Sequence, residues 1–220
     1  MEKILELEGV SRSFKDHRVL ENFSMDLLPG QIKVIRGPSG SGKTTLLNII
    51  GLLDEPDSGV VRVFGKENIK PFSRQARSLL QNKIGYLFQN FALLENRTVQ
   101  YNLGLVYGLR KPSGWKQQMA EALEQVGLSG MEKKKISECS GGEQQRVAMA
   151  RLLLKPCELI LADEPTGSLD PVNRNAVMNH LKMMQKQGKS ILVVSHDPEL
   201  ETIADEVIEI QSLQSAQTEN

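Results

Sequence analysis

The sequence predicts an α/β fold built on a mostly parallel β-sheet. Three observations carry that reading. Strand-like runs alternate with helix-like ones along the chain, the order expected of a parallel sheet with crossover helices. Two runs, Leu159–Ala162 and Ile191–Val194, are uninterrupted apolar stretches of the kind found in strands buried on both faces. A third, Gln31–Ile35, leads directly into a glycine-rich turn and then a helical pattern.

Each element has its own local signal. Residues 3–10 alternate through Ile4, Leu5, Leu7 and Val10 and read as a strand. Val19–Leu27 is a second apolar stretch, followed by the turn Pro29-Gly30. Lys43–Ile50 carries Leu46, Leu47, Ile49 and Ile50 and reads as a helix. The turn cluster Asp54–Gly59 precedes a strand at Val60–Phe64. Phe72–Asn82 is polar and basic, a surface helix, and Lys83–Phe88 returns to strand character. From about 90 to 155 the chain is helix-rich, with helical spacing over Lys116–Val126 and Glu143–Leu154, and reads as an inserted subdomain. Trp115 is expected to pack on it. Asn173–Lys186 is a helix that Gly188 ends. The tail Gln211–Asn220 is polar and expected to fray. No repeat of the solenoid kind appears.

Composition narrows the function classes. At 220 residues, 40% hydrophobic and 25% charged, the chain has ample material for a core. Disorder, collagen-like repeats and a disulfide scaffold are excluded. The 27 basic and 27 acidic side chains cancel, which argues against a strongly basic nucleic-acid binder, and no nucleic-acid partner is expected. Cys139 and Cys157 lack metal-ligand spacing and read as reduced thiols. The segment Met1–Glu6 is charged and lacks the apolar core of a signal peptide. No uncharged apolar run approaches the ~20 residues that span a bilayer. The chain is therefore expected in the cytoplasm, and any action at a membrane needs another chain to do the spanning.

The glycine-rich turn carries chemistry. Gly37-Pro38-Ser39-Gly40-Ser41-Gly42-Lys43-Thr44 fits G-x-x-x-x-G-K-[ST], and Thr45 follows it. Its glycines let backbone N–H groups wrap a polyphosphate, and the next helix adds the positive end of its dipole. Lys43 offers a point charge to the β- and γ-phosphates, and Thr44 a hydroxyl to Mg²⁺. The strand Leu159–Ala162 ends in Asp163-Glu164. Beside a phosphate loop, Asp163 is placed to hold Mg²⁺ and Glu164 to polarise an attacking water. His196 follows the strand Ile191–Val194, where it can reach the γ-phosphate. His17 and His180 sit in polar sequence without a partner motif and read as structural.

Ser140-Gly141-Gly142-Glu143-Gln144-Gln145-Arg146 resembles the signature motif of ABC ATPases, about 20 residues before the acidic strand. Ser140-x-x-Glu143 also fits a helix capping box, and the two readings coexist. The resemblance covers essentially the whole chain. It implies a single ABC ATPase domain over 1–220. A RecA-like and β core (about 1–89 and 156–220) would include an N-terminal antiparallel β part, and about 90–155 would form the helical signature subdomain. It implies that Phe14 packs on adenine, with core packing as the alternative. It also implies that Gln89 touches Mg²⁺ and senses a membrane partner, and that His196 is the switch histidine. Ser168-Leu169-Asp170 resembles the loop that crosses the dimer interface. Cys139 departs from the family, which usually has leucine there.

The same resemblance implies a head-to-tail homodimer with two ATP molecules sandwiched between phosphate loop and opposing signature motif. A transmembrane permease would dock near Gln89–Leu94 and hold the chain at the inner face of the membrane. The apolar loop Phe91-Ala92-Leu93-Leu94 reads equally as that socket or as subdomain core. Gly37–Asp54 and Ala162–Asp170 look like the macrolide-exporter and lipoprotein-releasing branch, and Tyr86–Asn96 like bacteriocin-export ATPases. Export or resistance transport is the function implied. Mechanical signalling to cell-wall hydrolases shares the same chemistry. A DNA-repair ATPase would need long insertions, and a small-molecule kinase would lack the Ser-Gly-Gly-Glu-Gln helix.

Overall fold

A computed structural model describes residues 2–15, 17–108, 110–167 and 169–211. In chain order its first half contains β1 (Leu5–Phe14), β2 (His17–Leu27), β3 (Ile32–Arg36), α1 (Lys43–Ile50), β4 (Ser58–Val63), β5 (Lys66–Glu67), α2 (Arg74–Asn82) and β6 (Ile84–Leu87). The second half contains α3 (Val99–Gly104), α4 (Trp115–Gln125), α5 (Gly141–Leu154), β7 (Leu159–Asp163), α6 (Pro171–Lys186), β8 (Ser190–Ser195) and β9 (Glu206–Glu209), with short 3-10 turns between. Residues 212–220 of the tail expected to fray lie outside the described residues.

The strands form two sheets. Five strands in the order β6-β7-β8-β3-β9 make a wholly parallel sheet. Four strands in the order β2-β1-β4-β5 make an antiparallel sheet at the N-terminal end. The apolar runs follow from this layering. Ile191 and Val193 of β8 join a core with α3 to α6, while Leu192 and Val194 join a second core with α1, α2 and the antiparallel sheet. A strand buried on both faces has no polar position left, so alternation disappears. Lys33, buried in the middle of β3, is a charged exception, and it pairs with Asp26 at 2.9 Å and Glu206 at 2.7 Å.

Local signals set the helix ends. Ser73 caps α2 by accepting from Ala76 N–H, and Thr98 caps α3 by accepting from Tyr101 N–H. Helix α6 begins at Pro171, two residues before the apolar pattern suggests, because Asp170 caps it and proline suits the first helical position. It ends in a Schellman arrangement: Gly188 N–H donates to Gln185 O and Lys189 N–H to Met184 O. Strands β5 and β9 and helix α3 escape sequence reading, because each is short and mostly exposed or flanked by other patterns. Trp115 opens α4, half-buried, with Lys111 Nζ 4.3 Å from its ring centroid. Cys139 and Cys157 are free and buried in the helical core. Burial pushes both thiols up, which suits small buried hydrophobes.

Candidate active site

The C-terminal ends of β3, β7 and β8 gather the predicted chemistry. Between β3 and α1 the chain turns through Gly37–Gly42, with Gly42 at a φ of 89°. A Cβ on Gly42 would lie 2.7 Å from the Val19 carbonyl oxygen, so the loop can pass β2 only with glycine there. Ser41 N–H donates to Pro38 O at 3.2 Å and closes the turn. No side chain caps α1, which leaves its first N–H groups for a ligand.

Lys43 is buried, and its ammonium donates to Gly37 O at 2.8 Å and Pro38 O at 2.9 Å. Two of its three donors hold the loop, and the third remains for an anion in the cleft. Thr44 Oγ1 donates to Asp163 Oδ1 at 3.3 Å. Burial pushes the Asp163 carboxyl above the usual range, partly offset by the Thr44 hydroxyl.

Glu164 adopts a φ of +44°, a strained conformation for a residue with a side chain. Its N–H donates to Val194 O, anchoring it to β8. Its carboxylate accepts from Ser195 Oγ at 2.7 Å and His196 N–H at 3.3 Å. His196 Nδ1 lies 2.9 Å from Glu164 Oε1. A carboxylate oxygen that accepts here takes a proton carried on Nδ1. Asp197 accepts from Thr166 Oγ1 at 2.7 Å, tying the loop after β7 to the loop after β8.

A cleft of about 650 Å³ joins these groups. Ser39, Gly40, Gly42, Lys43, Thr44 and Thr45 form its floor, and Glu164, His196 and Gln89 one wall. Phe14, 47% exposed, stands at the other side with His17 and Val19. Exposure of that size sets Phe14 outside the buried core.

The signature residues form a separate group. Ser140 caps α5 and Glu143 closes the capping box: Ser140 Oγ accepts from Glu143 N–H, and Glu143 Oε2 from Ser140 N–H. Gly142 lies against Asn173, whose Oδ1 accepts from Arg146 Nη1 and whose amide donates to Asp170. None of Ser140, Gly141, Gly142, Glu143 and Asp170 lines the cleft. Ser168 lies outside the described residues.

The ABC transporter family model matches residues 20–167, from β2 through the loop after β7. The chain belongs to the ABC transporter family. The macrolide export ATP-binding/permease protein MacB of Mannheimia succiniciproducens is 40% identical over 94% of this chain and 33% of its own length. The probable syringafactin export ATP-binding/permease protein SyfD of Pseudomonas syringae pv. syringae is 36% identical over 94% of this chain and 33% of its length. The chain thus spans about a third of the length of these curated relatives. Among solved structures, the dimeric bacterial ABC transporter cassette MJ0796 superposes with a TM-score of 0.86 at 32% identity, covering 94% of both chains. A post-hydrolysis state of MJ0796 bound to ADP and Pi matches with a TM-score of 0.86 at 31% identity, covering 95% of this chain and 96% of that one. The ABC fold and ATPase chemistry expected from the motifs are those of this chain.

In this ABC ATPase the loop after Gln89 divides its residues. Phe91 and Leu93 pack half-buried against the helical core, whereas Ala92 and Leu94 are exposed. The core reading therefore holds for Phe91 and Leu93. His180 meets the structural expectation, with ring nitrogens on Ala176 O and Gln125 O. The β1–β2 register sets His17 opposite Phe14 and at the edge of the cleft. Ser195 and Thr166 were equally illegible, since a lone serine or threonine at a strand end carries no motif.

Proposed function

We propose that the chain is the ATP-hydrolysing unit that powers a membrane exporter, acting as an ATP-bound homodimer. The observation that carries this is one cleft uniting Lys43, Thr44, Glu164 and His196, while Ser140–Glu143 stand outside it. A phosphate loop without a cover lacks half a site, and a second copy's signature helix supplies that half.

The residues fit ATP with Mg²⁺. The loop at Gly42 has no room for a side chain, Lys43 keeps one donor, and the exposed Phe14 lines the cleft. Thr44, Asp163 and Gln89 would hold Mg²⁺, which when bound neutralises charge on the β- and γ-phosphates. Gly37–Thr45 would cradle the phosphates. Glu164 would accept the proton of the attacking water, with its carboxylate oriented by Ser195 and His196. Ser140, Gly141, Gly142 and Glu143 of one copy would close on the nucleotide of the other, and Asp170 would lie at the seam. Residues 90–155 act as the helical subdomain that carries this closure.

Opening and closing would move a transmembrane permease docked near Gln89–Leu94 and hold the chain at the inner membrane face. The cargo class is a peptide, bacteriocin, lipid-like or drug molecule, supported by the export proteins named above. No helix among the described residues is long and apolar enough to cross a membrane.

The test is a tagged Glu164→Gln chain, incubated with ATP and Mg²⁺ in solubilised source membranes. Co-purification of a membrane protein with few spans and a large external domain supports the reading. Recovery of no membrane protein overturns it.

A further inference from the structure

Gln145 is a buried polar side chain of α5 that neither the helix cap nor the cleft uses. It is 3% exposed, and its Nε2 donates to Pro165 O in the turn after β7. A carbonyl oxygen only accepts, so the amide nitrogen must face Pro165. The amide oxygen is then left over, buried and without a hydrogen-bond partner among the described residues. A core position filled this way is costly, because an apolar side chain of the same shape brings no acceptor that needs a partner. What glutamine supplies that such a side chain cannot is the donor to Pro165.

Pro165 follows Glu164, and the backbone there needs holding. Glu164 sits at a φ of +44°, in the left-handed region, and the proline ring further narrows the conformations open to the residue before it. Such a backbone persists only where its surroundings over-determine it. From β8 the turn is held by Glu164 N–H donating to Val194 O at 2.9 Å, and from the loop after β8 by Asp197 accepting from Thr166 Oγ1 at 2.7 Å. Gly167 N–H closes it by donating to Glu164 O at 3.1 Å. Pro165 has no N–H, so its carbonyl is the backbone group by which it can be held, and Gln145 holds it from α5.

We infer that Gln145 is a positioning residue for ATP hydrolysis: its amide fixes Pro165, and through it the left-handed turn that aims the Glu164 carboxylate into the cleft. Ser195 and His196 orient that carboxylate at its oxygens, whereas Gln145 sets the backbone beneath it. The helix that begins after Ser140 thereby holds the catalytic turn of its own chain. Without the donor the turn keeps its anchors at Val194 and Asp197 and loses the one at α5. The carboxylate then samples orientations that do not face the attacking water. The chemical step slows, while the phosphate loop binds nucleotide as before.

The inference rests on Glu164 as the base and is tested apart from it. Gln145→Met keeps the volume and removes the donor. It should cut kcat about tenfold at unchanged KM and unchanged fluorescent-nucleotide affinity. Its melting point should change little, because one unpaired acceptor, Pro165 O, replaces another. Gln145→Leu, which also lacks the donor, repeats the measurement with a different shape. In single-turnover assays on the Glu164→Gln chain, adding Gln145→Met should cost nothing further, since a base that is absent cannot be misaimed. A packing role would instead lower the melting point and cost the same factor in both backgrounds. Unchanged kcat in Gln145→Met, or an equal loss with and without Glu164, overturns the inference and leaves Glu164 as the base. Full turnover in Glu164→Gln alone removes the base and takes the inference with it.

Discussion

Asn173 sits against Gly142 so closely that a Cβ there would lie 2.9 Å from its Nδ2 and 3.1 Å from its Cγ. The side chain has no easy retreat, because Arg146 and Asp170 both hold it. Gly142 thus serves the packing of α5 on α6 as well as any ligand. Gly142→Ala should lower stability, and Asn173→Ala in the same chain should recover part of the loss. Chemical denaturation of the single and double variants gives the coupling, expected at about 0.5–3 kcal/mol. Strict additivity would contradict the contact.

Glu164 is the proposed base. Glu164→Gln keeps the shape and loses the proton acceptor, so turnover should fall about 10²–10⁴-fold with ATP binding intact. Steady-state phosphate release and fluorescent-nucleotide titration separate the two. The variant should also accumulate as a dimer with ATP. Unchanged turnover would remove Glu164 from the mechanism.

Ser195 tests orientation rather than chemistry. Its hydroxyl is 2.7 Å from Glu164 Oε2 and also accepts from Asp197 N–H at 3.1 Å. Ser195→Ala should cut kcat about tenfold with little change in KM, the loss of one hydrogen bond to a charged group. Ser195→Thr should retain most of the rate. A rise in KM at constant kcat would place Ser195 in binding instead.

Lys43→Ala removes a charge-assisted donor worth about 1.5–3 kcal/mol, so nucleotide affinity should drop roughly ten- to a hundredfold. Isothermal titration reads it directly. The same substitution frees Gly37 O and Pro38 O, so the nucleotide-free chain should also melt earlier.

Glu143 gives a pH signature. Its carboxyl is held below the usual range by the Ser140 N–H first and then by Lys134 at 3.0 Å. A depressed carboxylate contributes stability above its unfolded pKa, and that contribution is lost as pH falls through its folded pKa. Glu143→Gln should therefore lower the melting point at neutral pH, and the difference should shrink steadily in acid below pH ~4. A difference that is constant with pH would mean the cap works through shape alone.

Much of the site was legible because its parts are contiguous. The phosphate loop, the acidic strand end and the signature helix each announce themselves within a few residues, since the backbone at each place needs one chemistry locally: glycines for close approach at Gly42, a capping pair at Ser140 and Glu143, an acid at a strand terminus. The fold class was legible for a similar reason, because burial on both faces of β7 and β8 writes itself as unbroken apolar runs.

What the sequence could not decide depends on which surfaces meet. The β1–β2 pairing carries His17 to the cleft beside Phe14, a placement set by hairpin register rather than by any motif. The parallel pairing of β7 with β8 puts Ser195 and His196 on Glu164, across 31 and 32 residues of chain. The packing of α5 on the loop after β6 turns Arg151 into a clamp on Phe91 and Ala92. Sequence determined the pieces, because local backbone and local burial select residue types. Tertiary structure decided the partners, because hydrogen bonds are properties of distance in space.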